Sequence, residues 1–257
     1  MRVVLIPGWN EGADGIQVFV KGRHRIPGLA ALGFECAVFD GGRGSIRDRI
    51  GQLAQFLAGL RSSQSGDEPL ALFGYSAGAL TARALLRAYP KTAVTAIFQL
   101  AAPNAGVVVD DAPGILHRIH FDRDVLEDLD SESAFMSWLN QIGGHWELDS
   151  KTQRKRWKLE KKPWIVPENV PISNLTGRMP RYHNQSDGIV LVESASLDGH
   201  LPCEFIDGKN ANHLNVGGTW NALTLVLRGW RSDDVCWPQA VAAAAQLFRR
   251  SALGRKQ

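Results

Sequence analysis

Long apolar runs, a cysteine framework and an excess of one charge are all missing from this chain of 257 residues. No stretch approaches the ~18 apolar residues that a membrane-spanning helix needs. The apolar start Val3-Val4-Leu5-Ile6 stops at Pro7-Gly8, too short for a signal peptide or a span. Three cysteines, Cys36, Cys203 and Cys236, are odd in number and widely separated. That excludes a disulfide scaffold and a zinc-ligand spacing, and it fits a reducing compartment. Cys36 and Cys203 sit in apolar runs, where a small buried hydrophobe is the expected role. Lys and Arg total 29 against 26 Asp and Glu, a net charge of +3, and no aromatic-and-basic motif for RNA accompanies it. Repeats and low-complexity linkers are absent, and nothing calls for a metal or an organic cofactor. The expectation is a cytoplasmic globular protein with a small-molecule partner, no nucleic acid and an open oligomeric state.

What is present is a rhythm. Short apolar runs bounded by Gly, Pro or Asp recur at Val3–Ile6, Cys36–Phe39, Leu70–Phe73, Val94–Leu100, Ile172–Leu175 and Cys203–Ile206. Most are apolar throughout rather than alternating, as parallel strands covered on both faces require. Helical patterns lie between several of them. Ile46, Ile50, Leu53, Leu57 and Leu60 form one stripe, preceded by Ser45 with Asp48 as an N-terminal cap. Ala77–Ala88 is rich in Ala and Leu and stops before Pro90, and Pro238–Leu253 ends with Arg249 and Arg250 near its negative dipole end. Alternation of this kind predicts a doubly wound, mainly parallel α/β sheet of about six strands. Residues 110–170 break the rhythm: they show no convincing strand yet carry Trp138, Trp146, Trp157 and Trp164. So long an excursion should have its own structure. It is read as a mostly helical insertion over one sheet edge, with 1–109 and 171–257 as the core.

Gly74-Tyr75-Ser76-Ala77-Gly78 follows a strand and opens a helix, the context in which G-x-S-x-G carries chemistry. The serine must stand on a sharp turn, and the two glycines remove side chains where strand and helix would collide. The helix start at Ala77 aims free N–H groups at developing negative charge. A serine nucleophile needs a base, and histidine suits that task near neutrality. Of seven histidines, His213 lies in a loop after the strand Cys203–Ile206 and ahead of a helical run from about Thr219, at the carboxyl edge of the sheet. The carboxylate that orients it is read as Asp187, in the turn Asn184-Gln185-Ser186-Asp187-Gly188. Asp207 is the next choice, and Asp40 keeps a turn or substrate-side role open. The tetrahedral intermediate needs two donors. The amide of Ala77 is one, and Trp9, after Gly8, is the other choice. Tyr75, Trp9 and Asn10 are candidates for contact with substrate.

With these pieces placed, the sequence resembles the α/β-hydrolase superfamily, and within it the small bacterial lipases and esterases. Val3-Val4-Leu5-Ile6-Pro7-Gly8-Trp9 resembles their strand and H-G-x loop, with Pro7 in place of the usual His. Gly74–Gly78 is similar to their nucleophile elbow, and Ala101-Ala102-Pro103-Asn104-Ala105-Gly106 to their G-T-P-N-x-G segment. Asp187-Gly188-Ile189-Val190-Leu191-Val192-Glu193-Ser194-Ala195 is similar to the D-G-x-V-P-x-x-S-A stretch that carries the acid, with Asn212-His213 following. The resemblance implies hydrolysis of a carboxylic ester through an acyl-Ser76 intermediate, with a cap or lid at the place of the insertion. It also implies a chain starting at the strand before the oxyanion loop, as in compact members. The same triad serves thioesterases, lactonases, amidases and acyltransferases, and a silent fold member acting as a binding module is the reading from another class. The insertion's tryptophans suit an apolar roof over an ester or the packing of a helical cap. The basic run Lys151–Trp164 is read as a solvated helix face before a contact with anionic headgroups or an acidic substrate.

Overall fold

The computed structural model describes residues 1–8, 12–23, 26–41, 44–62, 68–107, 123–141, 144–148, 155–159, 162–178, 186, 189–207 and 237–254. Six strands form one parallel sheet: β1 (Arg2–Ile6), β4 (Glu35–Val38), β5 (Leu70–Tyr75), β6 (Val94–Leu100), β9 (Ile172–Arg178) and β10 (Cys203–Asp207). Their spatial order is β10-β9-β6-β5-β1-β4. Two hairpins, β2 (Gly22–Arg23) with β3 (Ile26–Pro27) and β7 (Gly144–Leu148) with β8 (Lys155–Leu159), stand outside it. Each of the six apolar runs of the sequence falls on one of the sheet strands, with Phe39 just past the end of β4.

Strand residues alternate between two cores because successive side chains point to opposite faces. Val3 and Leu5 join Ala71, Phe73, Ala96 and Phe98 in one cluster. That face is covered by α1 (Gly12–Lys21), through Ile16 and Phe19, and by α7 (Trp237–Leu253), through Ala240, Val241, Ala244 and Phe248. Val4 and Ile6 join Leu70, Leu72 and Ile97 on the other face. There α2 (Ile46–Ser62) contributes Leu53 and Leu57, and α3 (Ala77–Ala88) contributes Ala82, Leu85 and Leu86. Double coverage is what the unbroken apolar runs required. The cap on α2 forms as the sequence predicts: Asp48 N–H donates to Ser45 Oγ at 3.1 Å, and the Asp48 carboxylate accepts from the Ser45 amide at 3.3 Å.

The chain winds outward in both directions from β1 and β5, so the sheet's topological switch point lies between these neighbours. Open α/β sheets form a crevice at that point, outside the carboxyl ends of the strands.

The stretch after β6 departs from the expected mostly helical structure. Among the described residues it holds two helices of seven residues each, α4 (Arg123–Leu129) and α5 (Ala134–Asn140), and then the antiparallel pair β7–β8. Lys155–Leu159, read in the sequence as part of a helix face, is a strand. Its sequence Lys-Arg-Trp-Lys-Leu and its partner Gly-His-Trp-Glu-Leu place apolar residues at every second position, a period of two rather than 3.6. Trp146 and Trp157 are register partners in that hairpin. Helices α4 and α5 lie against α2 and α3 through Val125, Leu129, Phe135, Met136 and Leu139, which share a buried cluster with Ile46, Ile50, Leu80 and Ala84. No described helix is long and apolar enough to cross a membrane.

Candidate active site

Ser76 sits between β5 and α3 with φ 51° and ψ −124°, a backbone conformation that residues with a Cβ rarely adopt. The surroundings hold it there. The Ser76 amide donates to the Leu100 carbonyl at 2.9 Å, and the Ser76 carbonyl accepts from the Ala79 amide at 3.0 Å. The two glycines are required by contact with backbone. A Cβ on Gly74 would stand 2.5 Å from Ala79 Cα, and one on Gly78 would stand 2.3 Å from the Ile6 carbonyl oxygen. Helix α3 is thereby seated directly on the end of β1, and Ser76 rises partly exposed at the switch point.

The amide of Ser76 is spent on Leu100 and has no role as a donor to a substrate. Ala77 is the first residue of α3, where an N–H has no acceptor within its own helix. The facing loop begins at Pro7, whose carbonyl accepts a 2.8 Å hydrogen bond from Nη2 of the buried Arg49 on α2. This clamp on the loop after β1 had no signal in the sequence beyond an arginine within an apolar helix stripe. Tyr75 is 1% exposed and belongs to the core on the α1–α7 side. Its side chain packs beneath the elbow.

Asp187, His213, Trp9 and Asn10 lie outside the described residues. Their described neighbours carry information. Ser186 pairs with Leu191 in an antiparallel bridge, and its hydroxyl donates to the Val190 carbonyl at 3.0 Å. That bridge leads into α6 (Val192–Ser196), which is clasped to the segment after β6: Ser194 Oγ donates to the Gly106 carbonyl at 2.6 Å, and the Ala105 amide donates to the Ser194 carbonyl at 3.1 Å. Asp207, the second-choice acid, is engaged elsewhere. Arg178 grips its carboxylate with two bonds, Nε to Oδ1 at 2.6 Å and Nη2 to Oδ2 at 2.7 Å, and holds its pKa below the usual carboxylate range. His200 stands in the turn before β10, at the amino edge of the parallel sheet and away from Ser76.

A buried polar network behind the elbow was not foreseen. Gln99 of β6 donates through Nε2 to the Ala79 carbonyl at 3.1 Å and to Asn104 Oδ1 at 3.2 Å. Asn104 returns a bond from Nδ2 to Gln99 Oε1 at 3.0 Å and sends another to the Ala195 carbonyl at 2.9 Å. Arg83, fully buried on α3, reaches Asn104 Oδ1 at 2.9 Å and Asn140 Oδ1 at 3.0 Å. In the sequence Arg83 is one arginine in an Ala-rich helix, and its partners lie 21 and 57 residues away.

Trp138 and Trp164 do not roof the elbow. Their rings flank the Arg87 guanidinium, 5.1 and 5.4 Å from the ring centres, near the end of α3 opposite Ser76. They pack against α3. The side chains of Trp146 and Trp157 lie outside the description.

No protein-family model matches this sequence, and no curated protein does. Solved structures do. A metagenomic carboxyl esterase superposes with a TM-score of 0.61 at 16% identity, covering 97% of this chain and 76% of its own. The mature lipase BlEst2 of Bacillus licheniformis gives a TM-score of 0.59 at 14% identity, covering 88% of this chain and 90% of its own. A Listeria innocua protein gives 0.53 at 13% identity, with coverage of 91% and 96%. At such identities the likeness speaks for the fold, and with the six parallel strands and flanking helices it is the α/β-hydrolase fold.

Proposed function

We propose that this chain is a serine hydrolase that cleaves a carboxylic ester, with Ser76 as nucleophile, His213 as base and Asp187 as the acid that orients it. The observation that carries the reading is the strained backbone of Ser76 at the switch point, enforced by two glycines whose replacement would collide with backbone. Strain of that kind, roughly 1–3 kcal/mol, persists where the surroundings over-determine it. The esterase and lipase named among the structural neighbours support the same reaction class.

The strand order supports the two partners by reach. Parallel strands end on one edge, and β10 stands three places from β5, so ~14 Å separates their carboxyl ends. His213 follows Asp207 by six residues, enough for ~20 Å of extended chain. Asp187 follows Arg178, the end of β9, by nine residues, and β9 is only two places from β5.

In the reaction, the His213 imidazole takes the hydroxyl proton as Ser76 Oγ attacks the ester carbonyl. Asp187 fixes the tautomer and stabilises the imidazolium. The amides of Ala77 and Trp9 receive the oxyanion, where one good donor supplies ~3–4 kcal/mol. The imidazolium protonates the leaving alcohol, and water activated by His213 releases the acid from acyl-Ser76. Treatment with a fluorophosphonate followed by peptide mass mapping tests this. Wild-type protein should take one label at Ser76 and Ser76→Ala none; an unlabelled Ser76 in folded wild type overturns the reading. A panel of p-nitrophenyl esters, acyl thioesters and lactones then separates ester hydrolysis from the other acyl transfers that one triad serves.

A further inference from the structure

Among the described residues Arg83 is the largest fully buried side chain, and no described carboxylate stands among its hydrogen-bond partners. Among the described residues its guanidinium bonds neutral oxygens: Asn104 Oδ1 at 2.9 Å, Asn140 Oδ1 at 3.0 Å, and the carbonyls of Trp164 at 2.7 Å and Ile165 at 3.2 Å. Burial, and secondarily the charge of Arg87, pushes its pKa down to about 9. Burying a cation without a counter-ion is costly. What the side chain supplies in exchange is geometric. A planar fork of five donors fixes several chain segments at once, which a lysine's point charge does not.

Those segments converge on the active site. Arg83 lies on the helix that Ser76 precedes, about two turns further along. Asn104, its first partner, is a hub. It is joined to Gln99, which holds the Ala79 carbonyl in the first turn of α3, and to the Ala195 carbonyl of α6. Asn174 of β9 donates to that same carbonyl at 2.8 Å. Helix α6 follows directly on the Ser186–Leu191 bridge, whose two residues bracket Asp187 in the sequence. Asn140, the second partner, donates back to the Asn104 carbonyl at 3.0 Å and closes a ring of bonds through the insertion.

We propose that Arg83 is a positioning residue: through Asn104 it holds the nucleophile helix in register with the helix that follows the acid, and through Asn140, Trp164 and Ile165 it fixes the adjoining part of the insertion as a buttress rather than a lid. The first half rests on the assignment of Ser76 and Asp187 above. The second half does not.

The test compares wild type with Arg83→Lys and Asn140→Ala, the latter cutting the ring at the insertion while leaving the Arg83–Asn104 bond. Three readouts are taken: kcat and KM on a p-nitrophenyl ester, the fluorophosphonate labelling rate at Ser76, and amide hydrogen exchange at residues 164–166 and 192–196. Arg83→Lys should lower kcat and the labelling rate by about 30-fold with KM within about threefold, and should speed exchange in both segments. Asn140→Ala should speed exchange at 164–166 with a kcat loss under about fivefold. A folded Arg83→Lys protein with faster exchange but wild-type kcat overturns the positioning role. Unchanged exchange at 164–166 in both variants overturns the buttress. If Arg83→Lys does not fold, Asn104→Ser replaces it under the same criteria. Failure of wild type to label at Ser76 removes the catalytic assignment and leaves the buttress to be judged by exchange alone.

Discussion

The sheet with its covering helices and the segment from Arg123 to Ile165 are fastened by different kinds of contact. The sheet is clamped between two apolar clusters drawn from every strand and from α1, α2, α3 and α7. Among the described residues the segment shares one apolar cluster with α2 and α3, lays Trp164 and Ile165 against the margins of two more, and is further tied by cations and polar groups. Arg87 is held between two indole rings, Arg83 bonds Asn140 and two backbone carbonyls, and the Asp128 carboxylate meets the start of α2. Apolar burial tolerates small shifts of shape, whereas directional bonds to a buried guanidinium do not. The difference teaches that this segment is registered to α3 side chain by side chain, and its loosening should be separable from unfolding of the core.

The strongest way to break the comparison is at the elbow, where core and site coincide. Gly78→Ala places a methyl group against the Ile6 and Pro7 carbonyls and should cost about 3 kcal/mol or more, seen as a lower midpoint of chemical denaturation with activity lost alongside. A folded, active Gly78→Ala protein would show that α3 is not seated on β1 as described. Arg87→Ala removes two cation–π contacts and should cost about 1–2 kcal/mol. Hydrogen exchange should place that loss in α5 and residues 164–166, with the sheet unaffected.

A smaller effect carries a pH signature. Burial, helped by the charge of Asp48, raises the pKa of Asp128 despite its bonds to the Arg47 and Ile46 amides and its ion pair with Arg47 at 3.0 Å. The folded protein then holds this proton more tightly than the unfolded chain does. Raising the pH from the unfolded carboxylate value through the elevated folded one therefore lowers stability. Asp128→Asn lacks this dependence. It should stand closest to wild type near pH 4 and gain on it by pH 7, measured by urea titration at each pH. An unchanging difference would refute the assignment.

The smallest effect probes the two edges of the sheet. Burial pushes the Cys36 thiol up to about 11 and the Cys203 thiol up to about 12, so thiolate is scarce at neutral pH. Both should react with iodoacetamide at least ~100-fold more slowly than a free thiol, with mass mapping to tell them from Cys236. Fast labelling of either in folded protein would mean that its edge strand opens.

The legible parts of the molecule are those decided by neighbours in the chain. Apolar runs of four to seven residues marked all six sheet strands, though β5 extends beyond the expected Phe73 to Tyr75. The elbow was readable because its glycines, its serine and the helix after it are consecutive. The β7–β8 hairpin was missed although its alternation is present, since the basic residues at Lys155, Arg156 and Lys158 drew the reading toward a helix face.

By itself the sequence determined the six strands of the sheet, helices α2, α3 and α7, the double burial of the sheet and the strained turn at Ser76, because period, glycine placement and caps act over a few residues. Tertiary structure alone decided that β1 and β5 are neighbours, that Arg49 reaches Pro7, and that Arg83 meets Asn104 and Asn140. Those pairings join residues 21 to 68 positions apart, and nothing local distinguishes an arginine that points to water from one that is buried as a hub.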